Sequence, residues 1–286
     1  MITRRHLVQG VGLAFAAPWG RAAAPATRVV SIGGAVTETV YALGAQGLLV
    51  GVDTTSLYPA AARALPNVGY ARSLSAEGVL SLAPTLVVAG EEAGPPAVLR
   101  QLEAAKVPVQ VLAADHSVAG VAERTRQLAA LLGREDAGRA LAAQLQRDAQ
   151  AASAKVAALS GPAPRVLFIL AHSMSQVRVA GQRTAADAML RLAGATNALS
   201  GFDGYKPLNP EAAIAAAPDV LLVTNQGLEA AGGIDGLLRA PGLAATPAGR
   251  ARRVASLDAL WLLGFGPRLP SAMTTLAEAL RGGAAR

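Results

Sequence analysis

The chain has 286 residues, of which 52% are hydrophobic and 16% charged, so it is long and apolar enough to bury a large core and unlike a disordered protein. Its formal net charge of +7 falls to +4 (7 − 3) without the three arginines of the first 24 residues, and no dense basic stripe argues for nucleic-acid binding. The absence of cysteine excludes disulfides, thiolate metal sites, cysteine nucleophiles and a lipid-modified N-terminal cysteine.

The first 24 residues have the organisation of a cleaved export signal. Arg4 and Arg5 are followed by the mostly apolar run 7–17 and by the small residues 22–24, which are typical of a cleavage site. The apolar run of about 11 residues is shorter than the roughly 20 that span a bilayer. The general and the twin-arginine export routes both fit this pattern. We therefore expect a mature protein in the periplasm.

Two parts of the mature chain repeat one another. The apolar runs 28–32 (RVVSI) and 165–169 (RVLFI) are typical of buried parallel strands. Further along, the segment 77–84 matches 211–218: each begins with glutamate, ends with proline and leads into another apolar run. The repeat predicts two related α/β lobes.

The segment 117–160, between the repeats, is predicted to be a helical linker. It is rich in Ala, Leu, Gln, Arg and Glu, and a helix of about 36 Å is expected from about Glu135 to about Leu159. The N-terminal lobe then covers 25–116 and the C-terminal lobe 161–286. We expect an α/β fold of two Rossmann-like lobes joined by a long α-helix, with a ligand cleft between the lobes.

Tyr70 is the candidate metal-ligating residue on physical grounds. It lies in the loop 67–73, directly after Gly69, which allows a sharp turn that projects the phenol outward. A phenolate is suited to ferric iron, and tyrosine is one of the axial haem ligands. Because a free phenol has a pKa of about 10, coordination at neutral pH needs the ferric ion and a nearby cation, and Arg72 is two residues away. The alternative is a surface loop tyrosine.

Three further side chains are candidates for contact with an anionic, iron-containing ligand. His172 follows the first strand of the second lobe, where it either approaches the iron or is a hydrogen-bonded structural histidine. Arg183 and Lys206 lie in loops of the same lobe and either pair with ligand carboxylates or are solvated surface cations.

Glu77 and Glu211 occupy equivalent places in the repeat. Ser75 and Asn209 are plausible N-cap residues, which places both glutamates in the first turn of a helix, where the helix dipole favours an anion. The functional alternative is that one exposed carboxylate on each lobe docks the protein onto a basic, two-fold partner.

Three motifs carry a family resemblance: 68–78 (VGYARSLSAEG), 181–189 (GQRTAADAM) and 262–266 (LLGFG). With these motifs the chain, from about Arg28 to about Leu280, resembles the haem-binding members of the helical-backbone class of ABC-importer substrate-binding proteins. This class also includes vitamin B12 and ferric-siderophore binding proteins.

The resemblance implies a role for each candidate residue. Tyr70 corresponds to the axial haem ligand and Arg72 to the residue that stabilises it. Glu77 and Glu211 correspond to the glutamates that dock on the permease. His172 corresponds to a histidine that serves some relatives as a further ligand or holds a second haem, but the following residues 173–176 depart from the family pattern, so its role stays open.

The predicted function is that of a monomeric periplasmic protein that binds ferric haem b and delivers it to an inner-membrane ABC permease–ATPase complex. Arg183 and Lys206 are the candidates for contact with the haem propionates. Hydrolase, phosphate-loop and zinc-protease motifs are absent from the sequence, so an enzyme is not expected. The alternatives are a ferric-siderophore or cobalamin binding protein and a soluble periplasmic haem chaperone.

Overall fold

The structure, a computed structural model, describes residues 27–170 and 177–282, and the predicted export signal lies outside them. The N-terminal lobe has a parallel sheet of four strands in the order β2-β1-β3-β4. Its strands are β1 (Val29–Ile32), β2 (Leu49–Val52), β3 (Leu86–Gly90) and β4 (Val109–Leu112). Its helices are α1 (Gly34–Ala42), α2 (Ala76–Leu80) and α3 (Pro96–Ala104).

Two helices join the lobes, α4 (Val118–Leu131) and α5 (Glu135–Ala157). The long helix predicted from Glu135 is confirmed and ends two residues before the expected Leu159. Leu128 of α4 packs into the core of the N-terminal lobe, whereas Leu145 of α5 packs into that of the C-terminal lobe. The helical joint is therefore part of both hydrophobic cores and holds the lobes firmly.

The C-terminal lobe has a mixed sheet in the order β10-β9-β5-β6-β8, in which β6 and β8 are antiparallel to their neighbours and β7 pairs with β5. Its strands are β5 (Arg165–Leu170), β6 (Arg178–Ala180), β7 (Thr196–Asn197), β8 (Tyr205–Pro207), β9 (Val220–Thr224) and β10 (Val254–Leu257). Its helices are α6 (Ala185–Leu192), α7 (Pro210–Ala215), α8 (Asn225–Ala230), α9 (Gly233–Leu238), α10 (Pro247–Arg250), α11 (Ala259–Leu263) and α12 (Leu269–Arg281).

The internal repeat is visible in the contacts of two arginines. Arg28 and Arg165 occupy the same place at the start of the strand that opens each lobe. Arg28 Nη2 donates to the carbonyl of Leu82 at 2.7 Å, and Arg165 Nη2 donates to that of Ala216 at 2.9 Å. These carbonyls lie just past the ends of α2 and α7, where a cation is favourable. Each short helix is thus fixed to its sheet in the same way.

The expected fold class, two α/β lobes joined by a long helix, is confirmed. The loop that follows β2 contacts the segment between α11 and α12, so the carboxyl end of the N-terminal sheet lies at the boundary between the lobes. Loops in this position form the ligand sites of open α/β sheets. Among the residues described, no helix has both the length and the apolar composition that crossing a membrane requires.

Candidate ligand-binding site

A buried aspartate shapes the loop 53–74, which follows β2. The carboxylate of Asp53 accepts hydrogen bonds from the backbone N–H of Gly33 at 2.9 Å and from the hydroxyls of Thr55 at 2.7 Å and Ser56 at 2.8 Å. Hydrogen-bond donors on both oxygens compensate the cost of burying this charge. The start of the loop is consequently fixed against the carboxyl ends of β1 and β2.

Tyr70 lies in the second half of this loop, with its side chain 42% exposed. Gly69 has a φ of 97°, a conformation that favours glycine, and its N–H donates to the side chain of Asn67 at 2.7 Å. On the other side, the carbonyl of Ala71 accepts a hydrogen bond from Gly94 N–H at 2.8 Å. The prediction that Gly69 turns the chain and leaves the phenol projecting outward is confirmed.

Arg72, which is exposed, brings its charge close to the C-terminal lobe. Burial raises the pKa of the Tyr205 phenol, while hydrogen bonds with Ala186 and Thr184 and the nearby Arg72 guanidinium act in the opposite direction. The Tyr205 ring also packs edge-on against Phe168, with 6.4 Å between ring centroids. Arg72, in the loop that carries Tyr70, is therefore near Tyr205 of the C-terminal lobe.

The two cations predicted on the C-terminal lobe both have partners. Arg183 forms an ion pair with Asp203, and both side chains are largely exposed. Lys206 places its Nζ 4.8 Å from the centroid of the Phe202 ring, in a cation–π contact. Arg183 follows β6 and Lys206 lies in the edge strand β8, so both cations belong to the same edge of the C-terminal sheet.

An apolar cavity of about 250 Å³ lies at the carboxyl ends of the central strands of the C-terminal lobe. This is below the roughly 300–1,000 Å³ of pockets that enclose a drug-sized ligand, so the cavity does not enclose such a ligand by itself. Its lining residues come from β5, β9, α8 and α11: Leu170, Thr224, Gln226, Gly227, Ala230, Ala259 and Leu263.

A partly buried ion pair joins the lobes. Glu38, in α1, has a side chain 5% exposed and accepts hydrogen bonds from Arg268 Nε at 2.9 Å and Nη2 at 2.8 Å. Burial disfavours the charged guanidinium, but the hydrogen bonds and charge of Glu38 outweigh this effect and raise the pKa of Arg268. This bidentate geometry fixes the orientation of both side chains.

A second contact between the lobes centres on Phe265. The carbonyl of Phe265 accepts a hydrogen bond from Arg124 of α4, and its ring lies edge-on to His116, with 4.9 Å between centroids. Burial, followed by the charge of Arg124, lowers the pKa of His116. Burial also lowers the pKa of Arg124. The segment that follows α11 therefore packs against the N-terminal lobe at two sites.

This architecture has known relatives. The profile of the periplasmic binding protein family matches residues 29–260, which is more than half of the chain. The chain belongs to the periplasmic binding protein family. The resemblance inferred from the sequence motifs is thereby confirmed, as is the two-lobed fold.

Solved structures of periplasmic binding proteins resemble the chain over most of its length. It is similar to the periplasmic heme-binding protein BhuT in complex with two hemes, with 55% identity and a TM-score of 0.84 over 88% of this chain and 97% of BhuT. It is also similar to the periplasmic heme-binding protein RhuT from Roseiflexus sp. RS-1 in apo form, with 47% identity and a TM-score of 0.86 over 89% and 98% of the two chains. A vitamin B12-binding protein of Vibrio vulnificus is 26% identical over 257 residues, 90% of each chain.

In this periplasmic binding protein, the predicted site residues fall into separate groups. Tyr70 and Arg72 lie together on the N-terminal lobe, and Arg183 and Lys206 lie at the edge of the C-terminal lobe. His172 lies outside the described residues.

Glu77 and Glu211 are exposed in the first turns of α2 and α7. The predicted N-caps are confirmed: the side chains of Ser75 and Asn209 each accept a hydrogen bond from the backbone N–H three residues further on, at 3.4 Å and 2.7 Å. The two glutamates therefore occupy matching positions on the two lobes.

Sequence reasoning missed several residues at the boundary between the lobes. The proximity of Tyr205 to Arg72 was not predicted. Arg178 was not singled out, although it opens β6 and donates a hydrogen bond to the carbonyl of Tyr205. No local sequence pattern predicts the ion pair of Glu38 and Arg268, because 230 residues separate the two. The sequence feature that could have indicated Tyr205 is its position next to Lys206, a predicted site residue.

Proposed function

We propose that this protein is the periplasmic haem-binding subunit of an ABC importer and that it carries ferric haem b. The observation that carries the proposal is the exposed Tyr70 beside Arg72, at a boundary between lobes, in a chain that is 55% identical to a heme-binding protein. Ligands favour such interlobe clefts.

Tyr70 is the proposed axial ligand of the haem iron. A phenolate supplies a hard, anionic oxygen to ferric iron. Its formation is favoured by a neighbouring cation, and Arg72 is two residues away in the same loop. Since guanidinium stays protonated at any physiological pH, Arg72 supplies a permanent positive charge for this purpose.

The remaining contacts are proposed from the chemistry of haem, which has apolar faces and two carboxylates. The apolar cavity next to α11 accommodates part of the porphyrin. Arg183 and Lys206 are the proposed propionate contacts. Lys206 is the stronger candidate, because Asp203 already neutralises Arg183. His172, two residues beyond the end of β5, is proposed as a further haem contact.

The loaded protein is proposed to dock, as a monomer, on an inner-membrane permease–ATPase complex through Glu77 and Glu211. Family membership supports a role as a substrate-binding protein of a transporter rather than as an enzyme. The matching positions of the two glutamates support a partner with two related halves. No nucleic-acid partner is proposed.

A visible absorption titration with ferric haem tests the proposed ligand. The signal-free wild type is expected to give a saturable tyrosinate-type ferric spectrum. Tyr70→Phe, which removes one oxygen, is expected to abolish that spectrum and to weaken binding by at least about tenfold, since an anionic iron ligand is lost. Tyr41→Phe is the matched control, because Tyr41 lies near the far end of α1, against the core of the same lobe.

A wild-type spectrum in Tyr70→Phe would refute the ligand assignment. A wild type that does not bind haem would favour the second candidate, cobalamin binding, which the 26% identical vitamin B12-binding protein supports. Thermal shift with cobalamin decides this point, because only a bound ligand raises the melting temperature by mass action.

A further inference from the structure

Two aromatic rings are exposed in the loop 53–74. Among the described residues, four large hydrophobic side chains are more than 36% exposed, and the two aromatic ones are Tyr58 (44%) and Tyr70 (42%). An exposed aromatic ring in a cleft is a ready contact surface for a planar, conjugated ligand. The function proposed above uses Tyr70 and leaves Tyr58 without a role.

Tyr58 is held in place by the opposite lobe. The guanidinium carbon of Arg268 lies 3.6 Å from the centroid of the Tyr58 ring, which is the spacing of a stacked cation–π pair. Arg268 is in turn held by Glu38 through two side-chain hydrogen bonds and through its own backbone N–H, which is 3.3 Å from Glu38 Oε1. One face of the Tyr58 ring is covered by this arrangement, and the ring remains 44% exposed.

The free-energy cost of burying the Glu38 carboxylate indicates that the ion pair does more than stabilise the fold. Removing the carboxylate of Glu38 from water is expensive, and a buried ion pair adds little net stability compared with apolar packing of the same volume. Such a pair instead holds the two side chains in a single relative orientation. Gly266 leaves room for it, because a Cβ atom there would lie 3.3–3.4 Å from the Glu38 carboxyl group. The chain thus preserves a fixed position for Tyr58.

Backbone hydrogen bonds bring the two parts of the loop that carry Tyr58 and Tyr70 together. Thr54 N–H donates to the carbonyl of Gly69, the residue before Tyr70, at 2.9 Å. Two tight hydrogen bonds follow, from Ser56 N–H to Asp53 O at 3.1 Å and from Leu57 N–H to Thr55 O at 2.9 Å. They keep the chain compact between Thr54 and Tyr58, so the segments that carry Tyr58 and Tyr70 lie close together at the carboxyl end of β2.

We propose that Tyr58 is a second haem contact, whose aromatic ring packs against the porphyrin that Tyr70 ligates through iron, and that Glu38 and Arg268 are positioning residues for that ring. The inference rests on the function proposed above. A porphyrin is the planar, conjugated partner that an exposed ring favours in offset stacking. The contact belongs to the ring and not to the phenol oxygen, so phenylalanine serves equally well.

The test is the rate of haem dissociation, measured by transfer to excess apomyoglobin. Tyr58→Ala is expected to release haem about tenfold faster than the wild type, because the aromatic contact is lost. Tyr58→Phe keeps this contact, and its release rate is expected to stay within about twofold of the wild-type rate. Tyr58→Leu, which keeps apolar bulk on Arg268 but lacks the ring, is expected to resemble Tyr58→Ala. Val111→Ala is the matched control, since it removes an exposed apolar side chain from the same lobe.

A double-mutant cycle tests the positioning role. Glu38→Gln removes the charge that orients Arg268 and is expected to speed haem release about threefold in the wild-type background. In the Tyr58→Ala background it is expected to add nothing, because the ring that it positions is gone. A merely structural role for Glu38 would lower the melting temperature and speed release equally in both backgrounds, which would overturn the positioning assignment.

The outcomes separate this inference from the proposed function. A wild type that binds haem while Tyr58→Ala and Tyr58→Leu release it at the wild-type rate refutes the inference alone. Tyr58→Phe releasing haem as fast as Tyr58→Ala would assign the contact to the phenol oxygen and overturn the ring contact. A wild type that binds no haem refutes both.

Discussion

Arg72 belongs to the N-terminal lobe, and its positive charge also acts on a side chain of the C-terminal lobe. It lies two residues after Tyr70, and it favours the charged form of Tyr205 on the other lobe. A guanidinium keeps its charge at any pH at which the chain folds. An anionic ligand that approaches Tyr70 therefore meets a fixed positive charge, which speeds its encounter with the protein.

His116 makes the stability of the protein depend on pH. Its lowered pKa arises first from burial and then from Arg124, and it is partly offset by the carboxylates of Asp115, Glu91 and Glu92. Between the lowered pKa and the unfolded value of about 6.5, the folded state binds fewer protons than the unfolded state. The free energy of unfolding therefore falls as the pH falls through this window.

We expect the wild type to lose more stability than His116→Gln between pH 7.5 and pH 5.5, because glutamine does not titrate. Urea unfolding of the haem-free proteins at the two pH values measures the difference. The two proteins differ at this single position, so the comparison isolates His116. An equal loss of stability in the two proteins would contradict the assignment.

At the level of single residues, the sequence predicted local features and missed distant ones. Tyr70 and Arg72 were predictable because glycine, phenol and guanidinium lie within four consecutive residues. Glu38 and Arg268 were not, since their contact depends on the packing of two lobes. A single sequence contains no periodicity that reports on such a pair.

At the level of elements, the repeat made one pair of adjacent strands in each sheet predictable, β1 with β3 and β5 with β9. The strands with continuous apolar runs were found, and the matched segments 77–84 and 211–218 form α2 and α7 with equivalent caps. The strands β2, β4, β6, β7, β8 and β10 were not predicted. Each has four residues or fewer, which is too short for a clear periodic pattern.

The same two helices allow a comparison of their caps. Asn209 accepts its N-cap hydrogen bond at 2.7 Å, whereas Ser75 accepts its bond at 3.4 Å. We expect Asn209→Ala to lower the free energy of unfolding by about 1 kcal/mol and Ser75→Ala to lower it by less, because the longer bond contributes less. Urea unfolding of the two variants measures the difference, and a larger cost for Ser75→Ala would contradict it.

At the level of the whole molecule, the lobes are held at three places. The helical joint α4–α5 belongs to both cores, Glu38 pairs with Arg268, and Arg124 binds the carbonyl of Phe265. Changing the angle between the lobes would break a partly buried ion pair, which is costly once one partner is left alone. Ligand entry is therefore expected to need little movement of one lobe against the other. The positions of Glu77 and Glu211 relative to each other are fixed for the same reason.

Because the lobes are held rigidly, we expect Glu77 and Glu211 to engage the permease at the same time. Removing both carboxylates, in Glu77→Ala with Glu211→Ala, is expected to reduce haem uptake at least about tenfold, since close charge pairs across an interface couple by roughly 1.5–7 kcal/mol. Haem affinity in solution should stay within about twofold of the wild type, because both glutamates lie on helices outside the proposed haem contacts.

Glu103→Ala with Glu229→Ala is the matched control, because it removes one exposed carboxylate from each lobe on the helices α3 and α8. Haem-stimulated ATP hydrolysis by the transporter in proteoliposomes, with each variant supplied at equal concentration, measures the effect. The control is expected to match the wild type, and the docking variant should lose most of the stimulation. Normal stimulation by a docking variant that still binds haem would show that the partner contacts other residues.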